Sequence, residues 1–128
     1  MKGSVTFFCN KNSVLSAGPV GLMQEAFDVT MDYIRTRQQF GKPIGEFQLM
    51  QGKIADMYTK LQSSRSFLYV MAALADEGKI SNTDAASLCL LCSDNGVDVT
   101  MEAIQALGGN GYTNEYPTGR LMRVIFFE

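Results

Sequence analysis

Arg35-Thr36-Arg37-Gln38-Gln39-Phe40-Gly41-Lys42-Pro43-Ile44-Gly45-Glu46-Phe47-Gln48 reads as the end of one long helix, a short loop and the start of another. Arg35 and Arg37 suit a last helical turn, where cations complement the negative end of the helix dipole. Gly41 can supply a left-handed cap, and Pro43 stops the helix from continuing. The same residues place a guanidinium, an aromatic ring, a lysine and an amide on one loop. Such a set suits a nucleotide diphosphate, with Arg for the phosphates, Phe for a ring face and Gln for a base edge. Taken alone, the stretch reads first as a well-capped helix corner. A second half elsewhere in the chain has to decide.

Downstream, Met50, Ile54, Met57, Leu61, Ser64, Leu68, Met71 and Ala75 alternate spacings of four and three, an a/d seam held for four heptads. The seam predicts a bundle helix starting at Phe47 or Gln48 and stopping at Glu77-Gly78, roughly 45 Å long. Upstream, from Val14, Leu15, Leu22, Ala26, Val29 and Tyr33 share one helical face, flanked by Met23, Phe27 and Ile34. Pro19 falls in a first turn or at a kink. A third helix is expected from Ser81 or Asn82, with Asp84 in its first turn and a slim seam of Ala85, Cys89, Cys92, Gly96, Val99, Ala103 and Ala106. Gly108-Gly109 ends it, and a short helix is expected over Thr118 to Phe127. The fold class is therefore all-α: an up-down bundle of three long antiparallel helices plus a short C-terminal helix. Met1 to Asn12 shows neither helical nor strand period.

The chain has 128 residues, the size of a single domain, with 11 basic and 13 acidic residues. That balance offers no groove for nucleic acid, and no apolar run reaches the roughly 18 residues of a membrane span. Histidine is absent, which excludes Ser-His and Cys-His catalysis. The three cysteines suit a reducing compartment. Met1 to Cys9 has too short an apolar core for a signal peptide and lacks the arginines of a mitochondrial presequence. Cys89 and Cys92 lie on the apolar seam with no second pair, so they read as packing and no metal site is expected. Asp94 and Asp98, one turn apart, read as a solvated face. Gln105-Ala106-Leu107-Gly108-Gly109-Asn110-Gly111-Tyr112 is different, because three glycines in four positions exceed the single one that capping needs. Glycines let a backbone approach a ligand and present its N–H groups.

Arg35 to Ile44, the run Gln48-Leu49-Met50-Gln51-Gly52-Lys53-Ile54-Ala55-Asp56-Met57, and Gly108-Gly109-Asn110-Gly111-Tyr112 with Tyr116-Pro117 and Gly119-Arg120-Leu121-Met122-Arg123 together resemble the C-terminal helical domain of the acyl-CoA dehydrogenase family. The resemblance runs from Val14 to Arg123, leaving 1–13 and 124–128 as divergent ends. The Gln-Leu-Met-Gln-Gly-Lys and Ala-Asp-Met-Tyr details are most similar to the isovaleryl-CoA branch.

The resemblance implies FAD as cofactor. It implies an acyl-CoA substrate such as isovaleryl-CoA, an intermediate of leucine breakdown, and electron-transfer flavoprotein as the electron acceptor. In the family a glutamate removes the α-proton while the β-hydrogen passes as hydride to the flavin. The helical domain holds a homotetramer together and contacts FAD, and the setting is mostly mitochondrial. Residue by residue, Arg37 matches the phosphate arginine, Phe40 the ring contact and Gln48 the adenine-side contact. Gln105, Leu107, Gly108 and Gly109 match the loop on the pyrophosphate. The base does not carry over. In the isovaleryl branch its position aligns with Lys11, in Cys9-Asn10-Lys11-Asn12; in other branches it lies well beyond Arg123. The expectation is a family fragment, truncated, split or alternatively spliced, without a catalytic residue. The alternative is a non-catalytic helical oligomerisation or interaction module. A fourth bundle helix is also expected to be missing, leaving parts of the second and third seams uncovered and the chain prone to self-association.

Overall fold

A computed structural model describes residues 15–126. The irregular segment expected up to Asn12, Lys11 at the base position, and Phe127-Glu128 lie outside the described residues. Three long helices carry the fold: α1 (Ala17–Thr36), α2 (Gln48–Asp76) and α3 (Asn82–Leu107). They are followed by a single turn, α4 (Gly109–Tyr112), and by α5 (Thr118–Ile125). Between α1 and α2 come β1 (Gln38–Gln39), β2 (Lys42–Pro43) and a 3-10 turn over Ile44–Glu46.

Local chemistry sets the ends of α2 and α3. Gly78 adopts φ 68°, and the Gly78 and Lys79 N–H groups donate to the carbonyls of Ala75 and Leu74, which closes α2 in a Schellman motif. Ser81 and Asp84 form a reciprocal capping box at the start of α3: the Asp84 N–H donates to Ser81 Oγ at 3.1 Å, and the Ser81 N–H to Asp84 Oδ2 at 3.2 Å. Pro19 is the third residue of α1, where its missing N–H would have had no helical partner anyway.

Pairs between helices fix the topology. Arg65 of α2 donates to Gln24 of α1, while the ring of Phe27 of α1 meets Tyr58 of α2 at a tilt of 44°, so the two helices run antiparallel. Lys53 bonds Glu102, Lys60 bonds Asp98 at 2.5 Å and Asn95 donates to Ser64 at 2.9 Å, so α3 runs antiparallel to α2. Helix α5 runs back along α3. Thr118 donates to the Gly111 carbonyl at 3.2 Å, and Ile125 reaches Gly96.

The core contains Met23, Ala26, Met57, Leu61, Leu88, Cys92, Val99 and Ala103. Each fully buried Met or Leu there contributes about 1.5–3 kcal/mol. The expected seam of α2 is the buried one, with Met57, Leu61, Ser64 and Met71 inside. The α3 seam also holds, except that Leu88 takes the fully buried place and Cys89 is half-buried.

Three local expectations change. The buried face of α1 is Val20, Met23, Ala26, Thr30 and Ile34, while Leu15 is exposed and Leu22, Val29 and Tyr33 are half-buried. Thr30 can occupy the core because its hydroxyl donates to the Ala26 carbonyl at 2.7 Å. Helix α1 ends before Arg37, whose backbone is already extended, so Gly41 does not cap it. Phe40 (φ 53°) and Gly41 (φ 81°) instead form the two-residue loop of a hairpin, the positive φ at both positions marking a type I′ turn. The seam positions expected to lose their cover are also largely enclosed. Apolar exposure falls on other positions: Leu49, Tyr58, Tyr69 and Val70 on α2 and Leu90 on α3.

Candidate functional site

The end of α1 and the end of α3 meet at a cleft of about 420 Å³. One wall is Tyr33, Arg37, Gln39 and Ile44; the other runs from Gln105 to Asn110. Two backbone bonds place Arg37. Its N–H donates to the Tyr33 carbonyl at 2.8 Å, and its carbonyl accepts from the Ile44 N–H at 2.9 Å, closing the base of the hairpin. The Arg37 side chain is exposed and, among the described residues, pairs with no carboxylate.

Of the residues singled out in the sequence, Arg37, Gln105, Leu107, Gly108 and Gly109 come together here. Arg37 lies 68 residues or more from the others, and the set supplies a guanidinium, a side-chain amide and a glycine turn. Leu107 is only 3 % exposed, so its side chain belongs to the core. Phe40 and Gln48 do not line the cleft. Phe40 is 93 % exposed at the hairpin tip, its ring edge-on to Phe47 at 6.3 Å between centroids, and Lys42 Nζ sits 4.4 Å from the centre of the Phe47 ring. Gln48 is the exposed first residue of α2.

The glycines divide by role. Gly108 has φ 60°, which makes the turn out of α3. A Cβ on Gly109 would meet nothing within 4 Å, as at Gly108, so the space over the turn is open. Gly111 serves packing, because a Cβ there would lie 2.5 Å from the Ile104 carbonyl oxygen. The surplus of glycine therefore has two causes, and only part of it faces the cleft. Sequence reasoning misses Tyr33, Gln39, Ile44 and Asn110. It assigns Tyr33 to the apolar face of α1, and the polar tip of that side chain gives no separate signal.

A guanidinium that pairs with no carboxylate among the described residues, amide donors and open space over Gly109 fit an anionic diphosphate group such as that of FAD. A larger groove, about 580 Å³, lies between α2 and α3 along Phe67, Leu90 and Leu91. Its polar lining is Thr83, Ser87 and Asp94, with Ser87 Oγ donating to the Thr83 carbonyl, and it presents no cation. The thiol of Cys92 is pushed up to about 11, chiefly by burial and further by Cys89, with a hydrogen bond involving Ser64 acting the other way. It is a core thiol, protonated at neutral pH. Among the described residues, no three His, Cys, Asp or Glu side chains are grouped to hold a metal ion, and no helix is long and apolar enough to cross a membrane.

A family profile described as the C-terminal domain of acyl-CoA dehydrogenase matches residues 6–125. The mitochondrial isovaleryl-CoA dehydrogenase of Oryza sativa subsp. japonica is 59 % identical over 110 residues, which cover 86 % of this chain and 27 % of that protein. The chain thus spans about a quarter of that relative's length. Butyryl-CoA dehydrogenase from Megasphaera elsdenii superposes with a TM-score of 0.91 at 35 % identity, over 94 % of this chain and 31 % of its own. PigA, solved with FAD and proline, superposes with a TM-score of 0.85 at 34 % identity, over 90 % of this chain and 30 % of its own. In sequence and in fold, this chain belongs to the acyl-CoA dehydrogenase family, as its C-terminal helical domain.

Proposed function

We propose that this bundle is the cofactor-holding and assembly unit of an FAD-dependent acyl-CoA dehydrogenase of the isovaleryl type, with Arg37, Gln105, Gly108 and Gly109 on the diphosphate. The observation that carries this reading is the meeting of Arg37 with the Gln105–Gly109 turn at one cleft. Leu107 holds that turn from the core side. Phe40 and Gln48, outside the cleft, extend the site toward the flavin ring and the adenine. In the whole enzyme the substrate is a short branched acyl-CoA, electrons leave to an electron-transfer flavoprotein, and the setting is the mitochondrion, as the isovaleryl-CoA dehydrogenase relative supports. Bound there, FAD supplies the hydride acceptor.

Proton abstraction is not assigned to this chain. The base position of the isovaleryl branch falls on Lys11. An ammonium is not an α-proton acceptor near neutral pH. Purified chain is expected to bind FAD, and Arg37→Ala to weaken that binding at least tenfold, read by flavin fluorescence. No acyl-CoA oxidation is expected, and flavin-dependent turnover of isovaleryl-CoA would overturn that assignment. No flavin response from the purified chain would instead favour a purely structural interaction module. Self-association is part of the same proposal, supported by Leu49, Tyr69 and Val70 exposed along α2. Light scattering at micromolar concentration tests it; a monodisperse monomer would count against it.

A further inference from the structure

We propose that Tyr33 is the positioning residue of this cleft, tying the arginine wall to the glycine wall so that their donors keep one spacing; the proposal rests on the cofactor reading above. Tyr33 makes three contacts, each from a different part of the residue. Its carbonyl accepts from the Arg37 N–H at 2.8 Å and so sets where Arg37 leaves the helix. Its hydroxyl accepts from Asn110 Nδ2 at 3.0 Å, across 77 residues of sequence. Its ring meets Tyr116 edge-on, 5.4 Å between centroids and 86° between planes.

Among the described residues, the other anchors of the turn after α3 lie within the turn itself or behind it. Gly111 lies against the Ile104 backbone, and its carbonyl accepts from Thr118. Neither anchor fixes the distance from Gly109 to Arg37. The Tyr33–Asn110 bond does, because it joins the two walls directly and is partly buried, where a hydrogen bond is stronger than in water. A diphosphate that needs donors from both walls binds best when that distance is set beforehand.

Tyr33→Phe keeps the ring contact and the carbonyl and deletes only the hydroxyl. It should weaken FAD binding about threefold to tenfold, the loss of one hydrogen bond, while the thermal midpoint stays close to wild type. Asn110→Ala should cost the same, and the double variant no more than either alone. Hydrogen exchange at the amides of 109–112 should accelerate in both single variants and stay unchanged along α2. Wild-type affinity and exchange in Tyr33→Phe, or additive losses in the double variant, would overturn the clamp alone. No FAD response in the wild-type chain would overturn the cofactor reading, and with it the role of Tyr33 in binding.

Discussion

Gly111 lies so close to Ile104 that a Cβ added to it would stand 2.5 Å from the Ile104 carbonyl oxygen and 2.9 Å from its Cα. Both obstacles are backbone atoms of α3, so neither can swing aside. Gly111→Ala should destabilise the fold by at least about 2 kcal/mol, in the range of overpacked cores. Gly109→Ala, with nothing within 4 Å, should leave stability nearly unchanged while weakening FAD binding. Parallel thermal melts and flavin titrations of the two variants check the division. Equal destabilisation would show that both glycines serve packing.

Gly96 gives the opposite sign to Gly111. A Cβ there would lie 3.2 Å from Ile125 Cδ1 and 3.5 Å from Pro19 Cβ. The first obstacle is the end of a flexible side chain and the second is ordinary contact. Relief of glycine's helix penalty, up to roughly 1 kcal/mol, should outweigh the adjustment. Gly96→Ala is expected to raise stability by about 0.5 kcal/mol, whereas Gly96→Leu should lower it by about 2 kcal/mol by driving α5 off α3. Urea midpoints would decide.

Cys92 imposes a pH dependence above neutrality. Its thiol ionises at about 11 in the fold against 9.0 for an unperturbed thiol, so the folded chain holds this proton more tightly than the unfolded one. The contribution is fully present below pH 9.0 and is lost as pH rises toward 11. It amounts to about 2–3 kcal/mol across that window. Cys92→Ala should flatten the decline between pH 8.5 and 10.5, values chosen to bracket roughly that window. Denaturant titrations of wild type and variant, compared at each pH, isolate it from other titrating groups. Alkylation of Cys92 in the native chain at neutral pH should be slow.

Ser64 is fully buried on α2 and accepts from Asn95 Nδ2 at 2.9 Å. Ser64→Ala strands the amide and should cost about 1–2 kcal/mol. Asp98→Ala, which breaks an exposed pair with Lys60, should cost less than about 1 kcal/mol and the loss should shrink with salt. Chemical unfolding at two ionic strengths distinguishes the two interactions. Equal costs would mean that the interface between α2 and α3 is held by charge rather than by buried polar pairing.

The limits of α2 and α3 are legible in the sequence because their causes are local. A Gly at the left-handed position, a Ser and Asp three apart, and a seam spaced by three and four act within one or two turns. The buried face of α1 is not legible, since counting apolar side chains passes over Thr30, which satisfies its hydroxyl on its own helix. The hairpin escapes the sequence for a related reason. It has two residues per strand and places Phe40, a residue with no preference for positive φ, in the turn.

The candidate site divides in the same way. Arg37 and the Gln105–Gly109 turn each announce a phosphate-binding chemistry by composition, and the family's motifs link them. Tyr33, Asn110 and the packing duty of Gly111 come only from the assembled bundle. The helices, their order and the chemical character of the two loops are written in the chain, because those depend on neighbours within a few residues. Which face of α1 is buried, which glycine is free, and that Tyr33 reaches Asn110 emerge from the folded bundle. Those depend on how the helix surfaces pack, and packing joins residues that the chain keeps far apart.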